Sequence, residues 1–469
     1  MTGLTLQHGQ AGLPTPNSTR SFWHREPSET LLGHRTTERL PATADVVIVG
    51  SGITGTFAAR ELAAGGRRVL LLEAREACWG ATGRNGGHCQ PGVWNNNPNI
   101  ARFELATFDF INDLVTYNDI QCDWEVVGGI HPFYSQEVLD AAEKQMKNLQ
   151  RHPDLKDKAV LVDKDELGRY RVPDAIGAIY QPNAAKCWPY KLVAWVLERL
   201  LRDHSADEFN LQTNTPVTHL QPAGSSWIVH TARGQVAAKN VLLASNAYTP
   251  YLLPKMASVI VPVRGQVCAL QPPEGATPLP HSYVWLSNNT DDYLIHYLIQ
   301  RGSEDRGASS SSVDFLIFGG ERLAVAGGQE GIYRDDELDP VIGQHLHHGL
   351  HSAIKLRPPK EDEESELRAS YEWTGIMGFS RDSHPWVGPV PAGLGGVEDT
   401  PGLWVSAGYT GHGMPVAARC GVAVAEMILG REGGVELPEE FVVSEKRAEA
   451  ARLMTLPRTM MDKLKMLAD

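Results

Sequence analysis

Residues 45–89 open Asp45-Val-Val-Ile-Val49-Gly50-Ser-Gly52-Ile53-Thr54-Gly55-Thr-Phe-Ala-Ala-Arg60-Glu-Leu-Ala-Ala64-Gly-Gly-Arg-Arg-Val69-Leu-Leu-Leu72-Glu73-Ala74-Arg75 and run on to Cys89. Four β-branched residues, Val46 to Val49, are too few for a helix and too apolar for an exposed edge, so they predict a buried parallel strand. The glycines that follow carry the dinucleotide spacing: Gly50 permits a tight turn, Gly52 a close phosphate approach, and Gly55 close packing of helix on strand. Thr54–Ala64 is an alanine-rich helix whose first amides, with Ile53 and Thr54 foremost, face an anion. Val69–Leu72 is a second strand, and Glu73 at its end can accept hydrogen bonds from ribose hydroxyls, with Ala74 and Arg75 next to it. Two flanking strands turn a weak glycine triplet into a strong signal.

A chain of 469 residues exceeds the roughly 250–300 residues at which single cores stop growing, so two domains are expected. The net charge of -13 is dispersed and no basic block interrupts it, which points to a small-molecule partner rather than nucleic acid or anionic lipid. Six cysteines, Cys78, Cys89, Cys122, Cys187, Cys268 and Cys420, are scattered without a Cys-x-x-Cys pair, a pattern suited to a reducing compartment. The N-terminus is polar, no apolar run reaches transmembrane length, and Leu-Ala-Asp at the C-terminus is not a peroxisomal tripeptide, so a cytoplasmic location is expected. Nothing in the composition sets the oligomeric state. His345, His347, His348 and His351 fall on one helix, but no nearby acid completes a ligand set, and they read as a solvated face without metal.

Along the chain, 1–43 is an aperiodic arm lying on the domain surface, with Trp23 as its pin. Helices are expected at Ile100–Tyr117, Gln136–Gln150, Lys191–Leu201, Asp339–Leu356 and Met414–Leu429. Strands are expected at Ala175–Tyr180, Asn210–Leu220, Trp227–Thr231, Lys239–Thr249, Val259–Leu270, Tyr293–Gln300, Val313–Phe318 and Leu323–Gly327. The serine tract within Arg301–Ser312 reads as a mobile hairpin tip. Lys239–Thr249 ends in small polar residues that could meet the nucleotide from a second side.

Gly80-Ala-Thr82-Gly-Arg84-Asn85-Gly86-Gly87, Ala244-Ser245-Asn246-Ala-Tyr-Thr249, Trp373-Thr-Gly-Ile-Met-Gly-Phe-Ser-Arg-Asp382 and Gly408-Tyr409-Thr-Gly411-His412-Gly413 follow the fingerprint in order. With it, they resemble the D-amino-acid oxidase superfamily of FAD-dependent oxidoreductases, in the branch of gamma-glutamylputrescine oxidase and the sarcosine oxidases. The resemblance implies an α/β chain: a discontinuous Rossmann-like FAD-binding domain from 44–118, 176–255 and 375–432, and a mixed-sheet α+β substrate domain from 119–175 and 256–374. A C-terminal helical tail from 433 to 469 completes it. Gly80–Gly87 is implied to run along the diphosphate, with Arg84 offsetting its charge, and Val217, Ser245 and Asn246 to face the cofactor from the second side. Gly411, His412, Gly413 and Met414 are implied to pass the pyrimidine end of the flavin.

His88, Tyr409 and His412 are the polar side chains that these loops bring nearest the ring, and Arg264 reads equally as a carboxylate clamp or a structural arginine. Asp382 reads as a loop-organising acid. Sarcosine-oxidising relatives attach flavin through a cysteine in the segment matching Trp373–Gly388, which has none here, so the FAD is expected to be non-covalent, with Cys89 and His88 as the remaining attachment points. The expected reaction is oxidation of an amine C–N bond, with hydride passing to flavin N5, imine hydrolysis, and electrons returning to O2 as H2O2. Four alternatives stand beside it: a dehydrogenase serving a quinone or carrier, an NAD(P)-dependent dehydrogenase, a tailoring enzyme acting on a secondary metabolite, and a silent flavin-binding protein.

Overall fold

Four β-branched side chains in succession need cover on both faces of a sheet, and the fold supplies it. Thr43–Val49 lies between Val69–Leu72 and Gly234–Leu243, parallel to both, and Val46, Val47 and Ile48 are completely buried. The computed structural model describes residue 6 and residues 9–286, 295–301, 315–357 and 366–456. Phe209–Gln212 extends the parallel set beyond Val69–Leu72, and Leu403–Ala407 joins the C-terminal half of Gly234–Leu243. The hairpin Val217–Ala223 and Ser226–Thr231 continues the sheet on the other half of that strand. The fingerprint helix Ile53–Ala64 packs on the late helix Ala417–Leu429. Gly421 allows the approach, because a Cβ there would strike the Thr54 carbonyl.

A second sheet runs in the order Ala369–Ser380, Ile260–Leu270, Phe315–Gly320, Ile295–Arg301, Ser282–Leu286, Gly129–Phe133, Gly177–Gln181, Val160–Val162. Neighbours are antiparallel except Ser282–Leu286 with Gly129–Phe133, so the sheet is mixed as expected. Pro340–His348 covers it through Ile342 and Leu346, which share a core with Phe318 and Leu270. A three-stranded ribbon of His88–Cys89, Ala185–Lys186 and Glu125–Val126 fixes the direction of the chain as it leaves the glycine-rich loop.

Several expectations change. Gly177–Gln181, assigned above to the nucleotide segment 176–255, pairs in the second sheet, since an apolar strand reads alike whichever sheet receives it. Ala369–Ser380 crosses the 374/375 boundary as one strand along Ile260–Leu270. Leu323–Gly327 is not a strand: Arg322–Ala324 and Ala326–Gln329 are 3-10 turns, with Gly327 and Gly328 at φ +77° and +56°. Asn210–Leu220 divides into a parallel edge strand and one arm of a hairpin. The helix expected to Leu356 stops at His348 and tightens into a 3-10 turn, Gly349–Ser352. Within the expected tail the described helix is Glu445–Arg452. The serine tract, residues 302–314, lies outside the described residues.

The arm departs furthest from expectation. Ala11, Phe22, Trp23 and Leu31 are at most 1% exposed. Phe22 meets Phe315, Tyr371 and Trp373 on the second-sheet side and Trp188 on the nucleotide side. Trp23 Nε1 donates to Asn85 O at 2.6 Å, and Trp188 Nε1 to Trp23 O at 2.8 Å. The segment Ser21–Trp23 is therefore an interior seam between the layers, while residues 25–43, apart from Leu31, stay at least partly exposed. Its low periodicity reported local conformation and carried no information about cover.

Candidate functional site

Two of the fingerprint glycines, Gly50 and Gly55, occupy positions that forbid a side chain. Gly50 has φ +107°, where a Cβ would lie 2.7 Å from Ala244 O, and a Cβ on Gly55 would overlap Gly50 O. Gly52 caps Ile53–Ala64 without any side-chain bond, leaving the helix start open to an anion. Thr82 Oγ1 accepts from Ile53 N at 3.1 Å, which ties the Gly80–Gly87 loop to that start. Glu73 accepts from Ser51 N and Oγ on one oxygen, at 2.9 and 2.7 Å, and from Arg75 N on the other at 3.0 Å. Glu73 also lines the cavity.

Arg84 and Arg75 take a different part from the one expected. Arg84 donates to Thr374 O, Thr19 O, Thr19 Oγ1 and Ser18 Oγ, and Arg75 donates to both oxygens of Asp335 at 3.0 and 2.9 Å. Asp335 is 1% exposed, lies 3.5 Å from Arg84, and also accepts from Thr15 Oγ1. Burial lowers the Arg84 pKa to about 10, against the opposing pull of Asp335, so it stays cationic at neutral pH. Both guanidiniums line the cavity, yet their hydrogen bonds anchor the arm. Asp335 went unread in the sequence, because its partners lie hundreds of residues away.

At the far end, Gly408 and Gly411 have φ +83° and +76°, and Asn246 Oδ1 accepts from Gly408 N and Tyr409 N at 3.0 and 3.4 Å. Asn246 thus holds the Gly408–Gly413 loop. The Tyr409 hydroxyl sits between Thr54 Oγ1 at 2.9 Å and Ser406 Oγ at 2.8 Å, and burial pushes its pKa up. It couples this loop to the fingerprint helix, which replaces the substrate contact read for it. Ala417–Leu429 begins immediately behind the loop, three residues later than expected.

His412 faces the cavity, and its Nε2 meets Glu104 Oε2 at 2.8 Å. Glu104 is 2% exposed. Sequence reading passed over it between Phe103 and Leu105; the signal was a lone carboxylate inside an apolar helix stripe. His88 also lines the cavity, its pKa lowered to about 4 by desolvation and then by His412.

Arg264 does not reach the wall: its Nε donates to Gln329 Oε1 at 2.8 Å, with Glu337 at 3.6 Å. A strand residue chosen by position alone pointed to the wrong face. Asp382 receives Arg447 through Nε at 2.7 Å and Nη2 at 3.1 Å and Ser380 Oγ at 2.5 Å, and so organises its loop. His347 lies 3.2 Å from Glu372 and 3.6 Å from Glu366, so that part of the histidine face meets carboxylates rather than solvent alone.

One cavity of about 760 Å³ joins these features. Gly50, Gly52, Ile53, Thr54, Glu73, Ala74, Arg75, Thr82, Arg84, Asn85, Gly86, His88, Val217, Ser245, Asn246, Tyr409, Gly411, His412, Gly413 and Met414 all line it, with Gln266, Val267, Ile376 and Phe379 from the second sheet. Gly55 and Gly87 do not. Gly55 serves helix-to-strand packing, and a Cβ on Gly87 would run into the Trp23 ring.

A dinucleotide-fingerprint crevice continuing under a mixed sheet is the architecture of a dinucleotide-dependent oxidoreductase. Residues 45–427 match the DAO family, FAD dependent oxidoreductase, and the chain belongs to that family; FAD is its cofactor. It is 25% identical over 415 residues to a probable oxidoreductase OrdL of Rhizobium meliloti, covering 85% of this chain and 86% of that one. To the gamma-glutamylputrescine oxidoreductase of Escherichia coli it is 26% identical over 406 residues, covering 83% and 84%. The fold is similar to that of glycine oxidase from Geobacillus kaustophilus, with TM-score 0.67 and 21% identity over 86% of this chain and 99% of that one. Among the described residues, no helix is long and apolar enough to cross a membrane.

Proposed function

We propose that this chain oxidises a C–N bond in an amine that carries no carboxylate beside the reacting carbon. The cation inventory of the cavity supports this reading. Among the described residues its wall holds three arginines and no lysine. Arg75 and Arg84 share Asp335. Arg322 donates to Gly328 O at 3.0 Å, with Glu330 4.0 Å away. A carboxylate brought into such a site would be desolvated without a dedicated counter-ion. The likeness to gamma-glutamylputrescine oxidoreductase agrees with an amine.

FAD, held at Gly50–Gly55 and Glu73, would supply the two-electron chemistry, with O2 as the final acceptor and H2O2 as product. The chain's own contribution is orientation and exclusion of water: Val267, Ile376, Met377 and Phe379 cover the cavity from the second sheet. The start of Ala417–Leu429 sets a partial positive charge behind the Gly411–Met414 loop. Attachment is non-covalent in this reading, because Cys89 is buried away from the wall and burial raises its thiol pKa.

Anaerobic mixing with amines tests the proposal. Bleaching of the visible flavin band, followed by rapid recovery in air, is expected; bleaching by amino acids alone overturns the substrate class, and slow recovery assigns the electrons to a quinone or carrier. Acid precipitation is expected to leave the yellow colour in the supernatant.

A further inference from the structure

We propose that Glu104 is a positioning residue which selects the tautomer of His412, and that His412, Gln90 and Asn95 together form a receptor for the N–H groups of the substrate. The proposal rests on the amine reading above and names the residues that recognise the amine.

Glu104 accepts from Gly92 N at 2.6 Å, Asn96 Nδ2 at 2.9 Å and His412 Nε2 at 2.8 Å. The first two partners can only donate, so the group they surround is an acceptor, an ionised carboxylate. A neutral His412 that donates to this carboxylate carries its proton on Nε2, and its Nδ1 then keeps the lone pair. Both residues line the cavity, but the imidazole is 39% exposed and the Glu104 side chain 3%, so the ring presents far more surface to it and the carboxylate acts chiefly through the ring.

Two further amide side chains, Gln90 and Asn95, line the same cavity. Gln90 and Asn95 are 4% and 8% exposed, and Gln90 Oε1 and Asn95 Oδ1 are buried without a hydrogen-bond partner among the described residues. Gln90 is anchored by its other atom, Nε2, at 2.6 Å from His131 Nε2. Asn95 lies against Gly92, where a Cβ would stand 2.7 Å from Asn95 Oδ1. That places it beside the residue whose amide holds Glu104. A buried acceptor left unpaired is costly until a donor arrives. An alkylamine or alkylammonium brings two or three donors and no negative charge, which matches three acceptors around a buried anion.

The test compares wild-type holoenzyme with Glu104→Gln, Gln90→Leu and Asn95→Leu, titrated under argon with n-butylamine, putrescine, benzylamine and butyrate while the flavin spectrum is followed. Wild type is expected to bind at least one amine and to show no perturbation by butyrate. Each variant is expected to keep its FAD while amine affinity falls at least tenfold. Unchanged amine affinity in Glu104→Gln, tighter binding of butyrate than of any amine, or binding of no amine overturns the proposal. Should Glu104→Gln not fold, nitrogen-15 spectra of wild type decide: His412 is expected as the Nε2–H tautomer, and the Nδ1–H form overturns the assignment. Failure of the amine-oxidation reading has a different signature, amines that bind but never bleach the flavin.

Discussion

At the scale of single residues, the chain separates positions where a carbon atom is forbidden from positions where a charge is. Gly55→Ala sets a methyl group against the Gly50 carbonyl, and overpacking of this kind costs about 1–3 kcal/mol. Loss of bound flavin and a lower urea midpoint are expected, whereas Gly168→Ala, with nothing within 4 Å and away from the cavity, serves as the silent control. His24 makes the pH dependence readable. Burial first, then Arg84, lowers its pKa from 6.5 to about 3, and His88 falls to about 4. Between pH 6.5 and those values the unfolded chain binds protons that the folded chain refuses, so stability declines as pH falls through that window. Melting temperatures measured from pH 7 to pH 4 should drop, and His24→Asn should flatten the slope.

At the scale of elements, the arm and the return strand Ala369–Ser380 depend on one carboxylate. The Asp335 carboxylate neutralises Arg75 and Arg84 and accepts from Thr15 Oγ1, while Thr19 Oγ1 donates to the Asp335 backbone carbonyl. Asp335→Asn leaves two buried guanidiniums without a counter-ion, at a cost of about 3–5 kcal/mol. A matching fall in chemical stability and faster proteolysis near residues 11–23 are expected; a variant with wild-type stability and cleavage would show that the arm is held by its aromatic residues alone. The strands and helices themselves were largely legible. Pro98–Asn118 and Gln136–Leu149 follow from spacing of apolar residues, because a helix face is written in neighbours three and four positions apart. Leu323–Gly327 was misread, since positive-φ glycines convert an apolar run into turns.

At the scale of the whole molecule, the cavity is a joint product of both sheets and the arm, with Leu13 and Pro14 on its wall. FAD at 100 times its Kd should therefore raise apo-protein stability by about 2.7 kcal/mol. Thermal melts with and without FAD check this, and no shift would place the cofactor elsewhere. The sequence by itself determined the parallel strands, the fingerprint turn, Glu73 and the late glycine loop, because each is a local pattern whose physics is complete within a few residues. Only the tertiary structure decided that Arg84 anchors the arm, that Arg264 turns from the cavity, that Gly177–Gln181 joins the second sheet, and that Glu104 meets His412. Those outcomes depend on partners far apart in the chain, such as Gly129 and Gln181, 52 residues apart, and Glu104 and His412, 308 apart, and pairing at such separations is settled by packing rather than by any pattern along the chain.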